Sequence, residues 1–376
     1  MRYNNAMSKL KLGVFFGGVS VEHEVSIITG LQLIKHADAE KYDIVPVYVD
    51  KLGNWWTGAA AADLSYFKTA DLKAPTGLTP FTLNFNPVTT QPIDVALLCF
   101  HGTAGESGSV QGLLDVAQIP YQSSGTTSSA IGFDKIITRQ ILTAENINQT
   151  KYVWFTHADW QARPEFWQSK LAEIGPVWFV KPANSGSSIG IKRVTQISEL
   201  AAAIDFAAQY DQRILVEQGI SDCLEINVSI LRDGSNTQVS VAEQPLKEDE
   251  LLSFVDKYQR GGGKKSGMAS ASRRIPAPIS ASTFEKLQVI SKRVAEIFDF
   301  TGVVRIDYFV NPSTEEIFLT EPNTIPGSMS FYLWQATQKP YPQLIDELVT
   351  IAQHRSEYQK TLTRSYETNL LETAQI

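Results

Sequence analysis

The chain has 376 residues, with 33 Lys+Arg against 40 Asp+Glu, a formal net charge of −7, 43% hydrophobic and 19% charged residues. That composition fits a folded protein of two or three domains and excludes a disordered chain; the acidic balance also argues against a broad nucleic-acid surface, which needs clustered Lys and Arg. Its 2 cysteines, Cys99 and Cys223, form no CxxC or Cys/His metal spacing, so a disulfide framework is excluded and a reducing, cytoplasmic location is expected. The opening MRYNNAMSKLKLGVFFGGVS lacks a secretory layout, and no run approaches the roughly 18–20 apolar residues that span a bilayer.

In chain order, Leu10–Phe16 reads as a short buried strand, followed by the turn Gly17-Gly18-Val19-Ser20. Val25, Ile28, Leu31 and Ile34 recur at helical spacing and predict a helix over Glu22–His36. Tyr42–Val49 is a second strand. Ile93–Phe100 (IDVALLCF) is a third, apolar on both faces as in a parallel sheet. Gly112–Val116 reads as a helix interior, and this open α/β unit ends near Gly125. A helix is predicted over Ser128–Ala144, then an extended piece at Tyr152–Phe155. Strands at Val177–Lys181 and Ile191–Val194 flank the loop Asn184–Gly190. Ser198–Tyr210 is a helix and Arg213–Glu217 a strand. The last third holds an extended Glu225–Leu231, a polar loop around Arg260–Ser266 and a helix over Ser280–Phe298. A hairpin of Val303–Val310 with Glu316–Glu321 follows, then a helix over about Tyr341–Arg355. The resulting division is 1–125, 126–218 and 219–376.

The C-terminal hairpin, VVRIDYFV … IFLTEPNTIPGS, carries the strongest chemical signal. A period of two puts Arg305, Asp307 and Phe309 on one face of the first strand, and Glu321 and Asn323 on one face of the second. Asp307, Glu321 and Asn323 can therefore converge as hard oxygen donors suited to Mg²⁺. The alternative is a pair of strand-edge carboxylates that Arg305 merely neutralises. Earlier, FVKPANSGSSIGIKRV places small residues between two strands, so that backbone N–H groups with the Ser187 and Ser188 hydroxyls can approach an anion. Lys181 precedes that loop, where it can meet a phosphate. GxxxxGK[ST] is absent, so this is not a Walker A loop.

Directly after IDVALLCF, HGTAGESGSVQGLL sets Gly102, Gly105 and Gly108 between strand and helix. The spacing is GxxGxxG, not GxGxxG, and no acid follows about 20 residues on, which disfavours a dinucleotide-binding oxidoreductase. His101 reads equally as a strand-end structural histidine and as a catalytic one, and stands among the substrate-binding candidates. In FGGVSVEHEVS, Glu22 opens a helix, where the dipole stabilises a carboxylate; it either caps that helix or binds a substrate ammonium group.

In this order, FGGVSVEHEVS, HGTAGESGSVQGLL, GFDK, VKPANSGSSIGI, LVEQ, DKY, VVRIDYF and TEPNTIPGS resemble the D-alanine–D-alanine ligase family of ATP-grasp enzymes, from Gly13 to about Trp334. The resemblance implies a Rossmann-like N-terminal domain followed by a two-part ATP-grasp fold, α/β and α+β, usually in a homodimer, with D-alanine and ATP as small-molecule substrates and neither nucleic acid nor membrane as partner. One D-alanine carboxylate would attack the ATP γ-phosphate, and the amine of a second would displace phosphate from the acyl phosphate. By resemblance Asp307, Glu321 and Asn323 hold two Mg²⁺ ions (or Mn²⁺), and Arg305 and the Gly327 N–H stabilise the tetrahedral oxyanion. Lys135 and Lys181 hold ATP phosphates, Glu217 lies on the adenine-binding strand, and Glu225 corresponds to a ribose-binding acid. Glu22, linked to Ser187 and Tyr258, holds the first ammonium group, and Lys257 faces the second carboxylate. Tyr258 goes with an amine as second substrate.

Four features depart from the family pattern. GEDG reads Gly105-Glu106-Ser107-Gly108, and NExN reads Thr320-Glu321-Pro322-Asn323. The loop Gly261–Arg274 is unusually basic and Gly-rich. The serine expected five residues after Gly327 is Tyr332, with Ser328 and Ser330 as neighbouring acceptor-side candidates. Acceptors other than D-alanine, such as D-lactate, D-serine or another amino acid, and a non-catalytic ATP-binding relative are the alternatives.

Overall fold

The computed structural model describes residues 9–73, 75–86, 90–246, 273–365 and 367–374. The first unit is a five-stranded sheet, ordered β4-β3-β2-β1-β5, from β1 (Leu10–Gly17), β2 (Tyr42–Val49), β3 (Trp55–Thr57), β4 (Thr79–Pro80) and β5 (Val95–Leu98). β1 runs parallel to both β2 and β5, whereas β2, β3 and β4 pair antiparallel. The helix His23–His36 makes the crossover from β1 to β2. β1 thus sits where the strand order reverses, and the crevice beyond its C-terminal end is where open α/β sheets bind ligands. β5 is shorter than the predicted Ile93–Phe100, though all of those residues except Asp94 are buried. β3, β4 and the helix Leu64–Thr69 lie in a stretch whose polar, Pro-containing sequence shows no periodicity.

The second sheet, β6-β9-β7-β8, is antiparallel and built from β6 (Tyr152–Thr156), β7 (Trp178–Pro182), β8 (Lys192–Val194) and β9 (Arg213–Gln218). The third, β11-β10-β14-β15, uses β10 (Leu224–Asp233), β11 (Asn236–Val239), β14 (Gly302–Val310) and β15 (Ile317–Asn323), also antiparallel. A two-stranded ribbon, β12 (Gln244–Pro245) with β13 (Arg273–Arg274), sits beside it.

The single helix predicted over Ser128–Ala144 is two, Thr126–Phe133 and Lys135–Ala144. Asp134 causes the break. It takes an extended ψ of 104°, its carboxylate caps the second helix by accepting from the Ile136 and Ile137 N–H groups, and it ion-pairs with Arg213. The break places Lys135 at a helix start facing the second sheet. The last long helix runs Tyr341–Thr361, beyond the predicted Arg355.

Three larger cores organise the packing. The first joins Leu12, Phe15 and Leu97 to Leu344 and Leu348 of the helix Tyr341–Thr361, so the chain's last third closes the first sheet. In the second, Val304, Ile306, Tyr308 and Val310 of β14 pack against Leu287 and Val294 of the helix Ala281–Ile297, which Ser280 caps at the Thr283 N–H. The third gathers Phe155, Val180, Leu200 and Ile214 around the second sheet. Among the described residues no helix is long and apolar enough to cross a membrane.

At the start of β14, Gly302 has φ +70°, and a Cβ there would lie 2.0 Å from the Gln122 carbonyl oxygen. Left-handed backbone alone costs a non-glycine residue roughly 1–2 kcal/mol, and the obstacle is main chain that cannot swing away. Gly302→Ala should therefore lower stability by about 2 kcal/mol or more, read as a reduced urea midpoint at unchanged m-value; a wild-type midpoint would mean this junction relaxes freely.

Candidate active site

β14 alternates cleanly. Its even-numbered residues fill the second core, while Arg305 and Asp307 on the odd face are turned away from it. β15 would not match this by simple alternation, since Ile317 and Leu319 point into the core and Glu321 would follow them. The register shifts by one residue at Thr320, so that Tyr308 faces Leu319 but Asp307 faces Glu321 and Arg305 faces Asn323. This bulge, fastened by the Thr320 hydroxyl donating to the Asp307 carbonyl at 2.8 Å, turns Glu321 and Asn323 onto the face of Asp307.

The converging groups pair with protein cations. Arg305 grips Asp307 with two bonds of 2.7 Å, and the Asn323 amide donates to the same carboxylate at 3.2 Å. Glu321 lies 3.0 Å from Lys135 Nζ, which also donates to the Ser185 carbonyl at 2.7 Å. Lys181 meets Glu217 at 2.6 Å, and Arg139 binds the other Glu217 oxygen at 2.6 and 2.9 Å while donating to the Leu319 carbonyl at 2.8 Å. Arg139 therefore ties the second sheet to the third.

Burial opposes ionisation of Glu217 and Glu321. The Arg139 and Lys181 charges overrule it at Glu217, and those of Lys135 and Lys181 at Glu321, bringing each carboxyl down to about 2. At Asp307 burial outweighs Arg305 and lifts the carboxyl to about 6. Burial works against the Lys135 charge too, but Glu321 beside it raises the pKa.

For a metal ion, the donors Asp307, Glu321 and Asn323 are all oxygens on one face, which fits a hard divalent cation. Mutual repulsion of the carboxylates does not demand one, because Arg305 and Lys135 already neutralise them. Among the described residues no group of three or more His, Cys, Asp or Glu is arranged to hold a metal.

The loop Asn184–Gly190 reaches across to the first unit. Ser187 donates to Glu22, and Gly186 lets the chain approach that carboxylate, since a Cβ there would lie 2.3 Å from Glu22 Oε2. Ser187 and Ser188 both take left-handed backbone, at φ 48° and 60°, and the loop base is pinned by Asn184 donating to Asp211. Glu22 precedes the helix His23–His36 but makes no side-chain cap bond. A cavity of about 440 Å³ opens here, lined by Glu22, Gly102, Asn184, Gly186, Ile189 and Tyr210 among others.

The remaining candidates fall around this centre. Glu225 pairs with Phe309 across β10 and β14, close enough for its charge to act on Asp307. His101 is buried, with Nε2 2.8 Å from Thr29 Oγ1. Ser328 and Ser330 are buried, their hydroxyls without a hydrogen-bond partner among the described residues. Gly327 opens the short turn that holds them. Tyr332 donates to Glu243 at 2.8 Å beneath the Arg273 guanidinium, 3.9 Å from its ring centre. Lys257, Tyr258 and most of the loop Gly261–Arg274 lie outside the described residues.

Sequence reasoning missed two groups. Arg139 reads as a solvent-facing residue of an amphipathic helix; its i, i+4 spacing from Lys135 was the available signal. Glu106, inside the quoted GESG motif, is buried and accepts from the Gly102 N–H at 2.7 Å. Burial and the nearby Glu22 charge push its carboxyl up to about 8, so it is protonated at neutrality.

Arg139→Met would strand Glu217 in the interior with Lys181 as its one remaining ion-pair partner among the described residues, at a cost of about 3 kcal/mol in urea unfolding, and adding Glu217→Gln should recover part of the loss. A fully additive double variant would show that the two do not act as a pair. For Glu106, the folded carboxyl stays protonated up to about 8, whereas the unfolded one ionises near its ordinary 4.5. Between those limits the folded state binds more protons, so this group makes stability fall as pH rises. Glu106→Gln should flatten that slope and raise the melting temperature at pH 8; a thermal profile parallel to wild type would remove Glu106 as its source.

The family model described as D-ala D-ala ligase N-terminus matches residues 11–124, and the one described as D-ala D-ala ligase C-terminus matches residues 141–350. The D-alanine–D-alanine ligase of Thermosipho melanesiensis is 34% identical over 370 residues, covering 96% of this chain and 98% of that protein. The structure of the D-alanine-D-alanine ligase from Coxiella burnetii superimposes with a TM-score of 0.78 at 26% identity, over 97% of this chain and 100% of that one. The VanG D-Ala:D-Ser ligase of Enterococcus faecalis gives 0.77 at 25% identity, over 92% and 99%. With matching models on both halves and a relative alike along nearly the whole length, the chain belongs to the D-alanine–D-alanine ligase family.

Proposed function

We propose that this chain is an ATP-dependent ligase that joins two D-alanine molecules into D-alanyl-D-alanine for peptidoglycan synthesis. The observation that carries this reading is the meeting of the Lys135–Glu321 and Arg305–Asp307 pairs on one face, with Lys135 also anchored to the loop that brings Ser187 to Glu22. Such a site offers cations for a polyphosphate and, across the loop, a carboxylate for an ammonium group.

In this reading a D-alanine carboxylate oxygen attacks the γ-phosphorus, ADP leaves, and an acyl phosphate forms. The second D-alanine's amine then attacks the acyl carbon, loses a proton and expels phosphate. Glu22, with Ser187 and Tyr258, holds the first ammonium group. Lys135 and Lys181 exchange their carboxylate partners for ATP phosphates, with Ser188 at the same loop. Glu217 acts by aiming Lys181, and Glu225 holds the ribose. Asp307, Glu321 and Asn323 hold two Mg²⁺ ions, or Mn²⁺, which neutralise phosphate charge when bound. Arg305 and the Gly327 N–H steady the tetrahedral oxyanion. Lys257 meets the second carboxylate, and Ser328 and Ser330 are further contacts for the second substrate. The division into 1–125, 126–218 and 219–376, a homodimer and a cytoplasmic location belong to the same proposal.

Tyr332, with its hydroxyl committed to Glu243, favours weighing a second acceptor such as D-serine or D-lactate. The deciding assay follows phosphate release from ATP and Mg²⁺ with D-alanine alone, then with a panel of second substrates, with products identified by mass. Dipeptide formation from D-alanine alone, abolished by chelation, is expected. Release only with a mixed pair would replace the acceptor, and no release with any D-amino acid would sink the ligase reading.

A further inference from the structure

The turn after β15 combines unusual backbone with anchors from elsewhere in the chain. Ser328, Met329 and Ser330 have φ of 51°, 52° and 48°, three consecutive non-glycine residues in the left-handed region. Each costs roughly 1–2 kcal/mol, so such a run persists only where its surroundings hold it. The first hold comes from the helix His23–His36: the Ser328 N–H donates to Thr29 Oγ1 at 3.1 Å. Thr29 Oγ1 is in turn 2.8 Å from His101 Nε2, and the His101 ring also hydrogen-bonds the Ile325 backbone. All three side chains are buried.

The protons can be assigned by elimination. Burial lowers His101 to about 4, so its ring is neutral at working pH. A neutral ring donating to the Ile325 carbonyl leaves Nε2 as a bare acceptor, which takes the Thr29 hydroxyl proton. The Thr29 oxygen then has lone pairs for the Ser328 N–H. The two anchored positions, Ile325 and Ser328, straddle Pro326-Gly327, and the N–H between them is the Gly327 donor.

We propose that Thr29 and His101 form a positioning pair that fixes the direction of the Gly327 N–H by clamping the turn on both sides of it. The proposal rests on reading Gly327 as the oxyanion donor. Neither side chain need touch the reacting atoms. Their bonds carry the first sheet's geometry into the third sheet's catalytic turn, so the first unit acts on the transition state as well as on the first substrate.

The test compares Thr29→Val, which keeps the shape and removes the hydroxyl, with Thr29→Ser, which restores it. Removing one oxyanion donor costs roughly 10²–10³ in kcat, and misdirecting one should approach that. Thr29→Val should lower kcat about 100-fold with KM for ATP essentially unchanged, and should speed deuterium exchange of a 325–330 peptide in ligand-free protein. Thr29→Ser should return both towards wild type. Wild-type kcat in Thr29→Val, equal losses in the two variants, or a KM for ATP that moves with kcat would overturn the pairing. Should the wild type release no phosphate with any D-amino acid, the ligase reading fails by itself. Exchange of the 325–330 peptide then decides the clamp, with unchanged exchange in Thr29→Val refuting it.

Discussion

The candidate active site depends on one buried set of charges that must all be satisfied together. Arg139 and Lys181 share Glu217, Lys135 meets Glu321, and Arg305 grips Asp307. Ion pairs taken out of water need not add net stability, because desolvation offsets most of their attraction. Their consequence is geometric. Arg139 reaches both Glu217 on β9 and the Leu319 carbonyl on β15, so the distance between the two sheets is set by one rigid guanidinium. Lys135 does the same between the loop carbonyl of Ser185 and Glu321. Four cations thus cluster here in a chain whose overall charge is −7, each already paired with a carboxylate that an anionic ligand would have to replace.

That balance also bears on how the site can change state. Glu217, held near 2, keeps its charge under all ordinary conditions, and Lys181 is held ready beside it. Asp307, lifted to about 6, is the carboxylate whose charge is least secure, although Arg305 is bidentate on it. A second cation beside Asp307 would favour its charged form, whereas Glu321 needs no such help. The two proposed metal-binding carboxylates are thus unequal: both are ionised at neutral pH, but Asp307, nearer its titration range, has more to gain from a bound cation.

Much of this was legible in the sequence, because the chemistry sits on elements with a simple period. β14 (GVVRIDYFV) alternates residue by residue, so Arg305 and Asp307 share a face on sequence alone, and IDVALLCF is buried on both sides, Asp94 apart, as its apolar run requires. What was hidden lies where period fails. The Thr320 bulge shifts Glu321 and Asn323 onto the correct face, and nothing in IFLTEPN announces an extra residue. The break at Asp134 was masked by helix-forming neighbours on both sides, though an Asp just before Lys-Ile-Ile is a capping signal. Arg139 was hidden for another reason: a basic residue on an amphipathic helix reads as solvent-facing, and only the tertiary partner Glu217 reverses that.

Contacts between the first sheet and the rest of the site complete the picture. Open α/β sheets bind ligands where the strand order reverses, and the Glu22 carboxylate lies near that point, beyond the end of β1. A lone carboxylate there would serve many ligands. The Ser187 hydroxyl narrows it, because it can donate to that carboxylate only when the loop Asn184–Gly190 is close, and that loop is tied through Ser185 to Lys135. The protonated Glu106 beside Glu22 removes a competing charge, while Glu24 on the same cavity wall is paired with Lys51. A substrate with an ammonium group at Glu22 and its carboxylate towards Lys135 and Arg305 matches both ends of the charge pattern. An amino acid is the smallest molecule that carries both groups, and in the proposed reading the two recognitions are divided between units that have to be held in register.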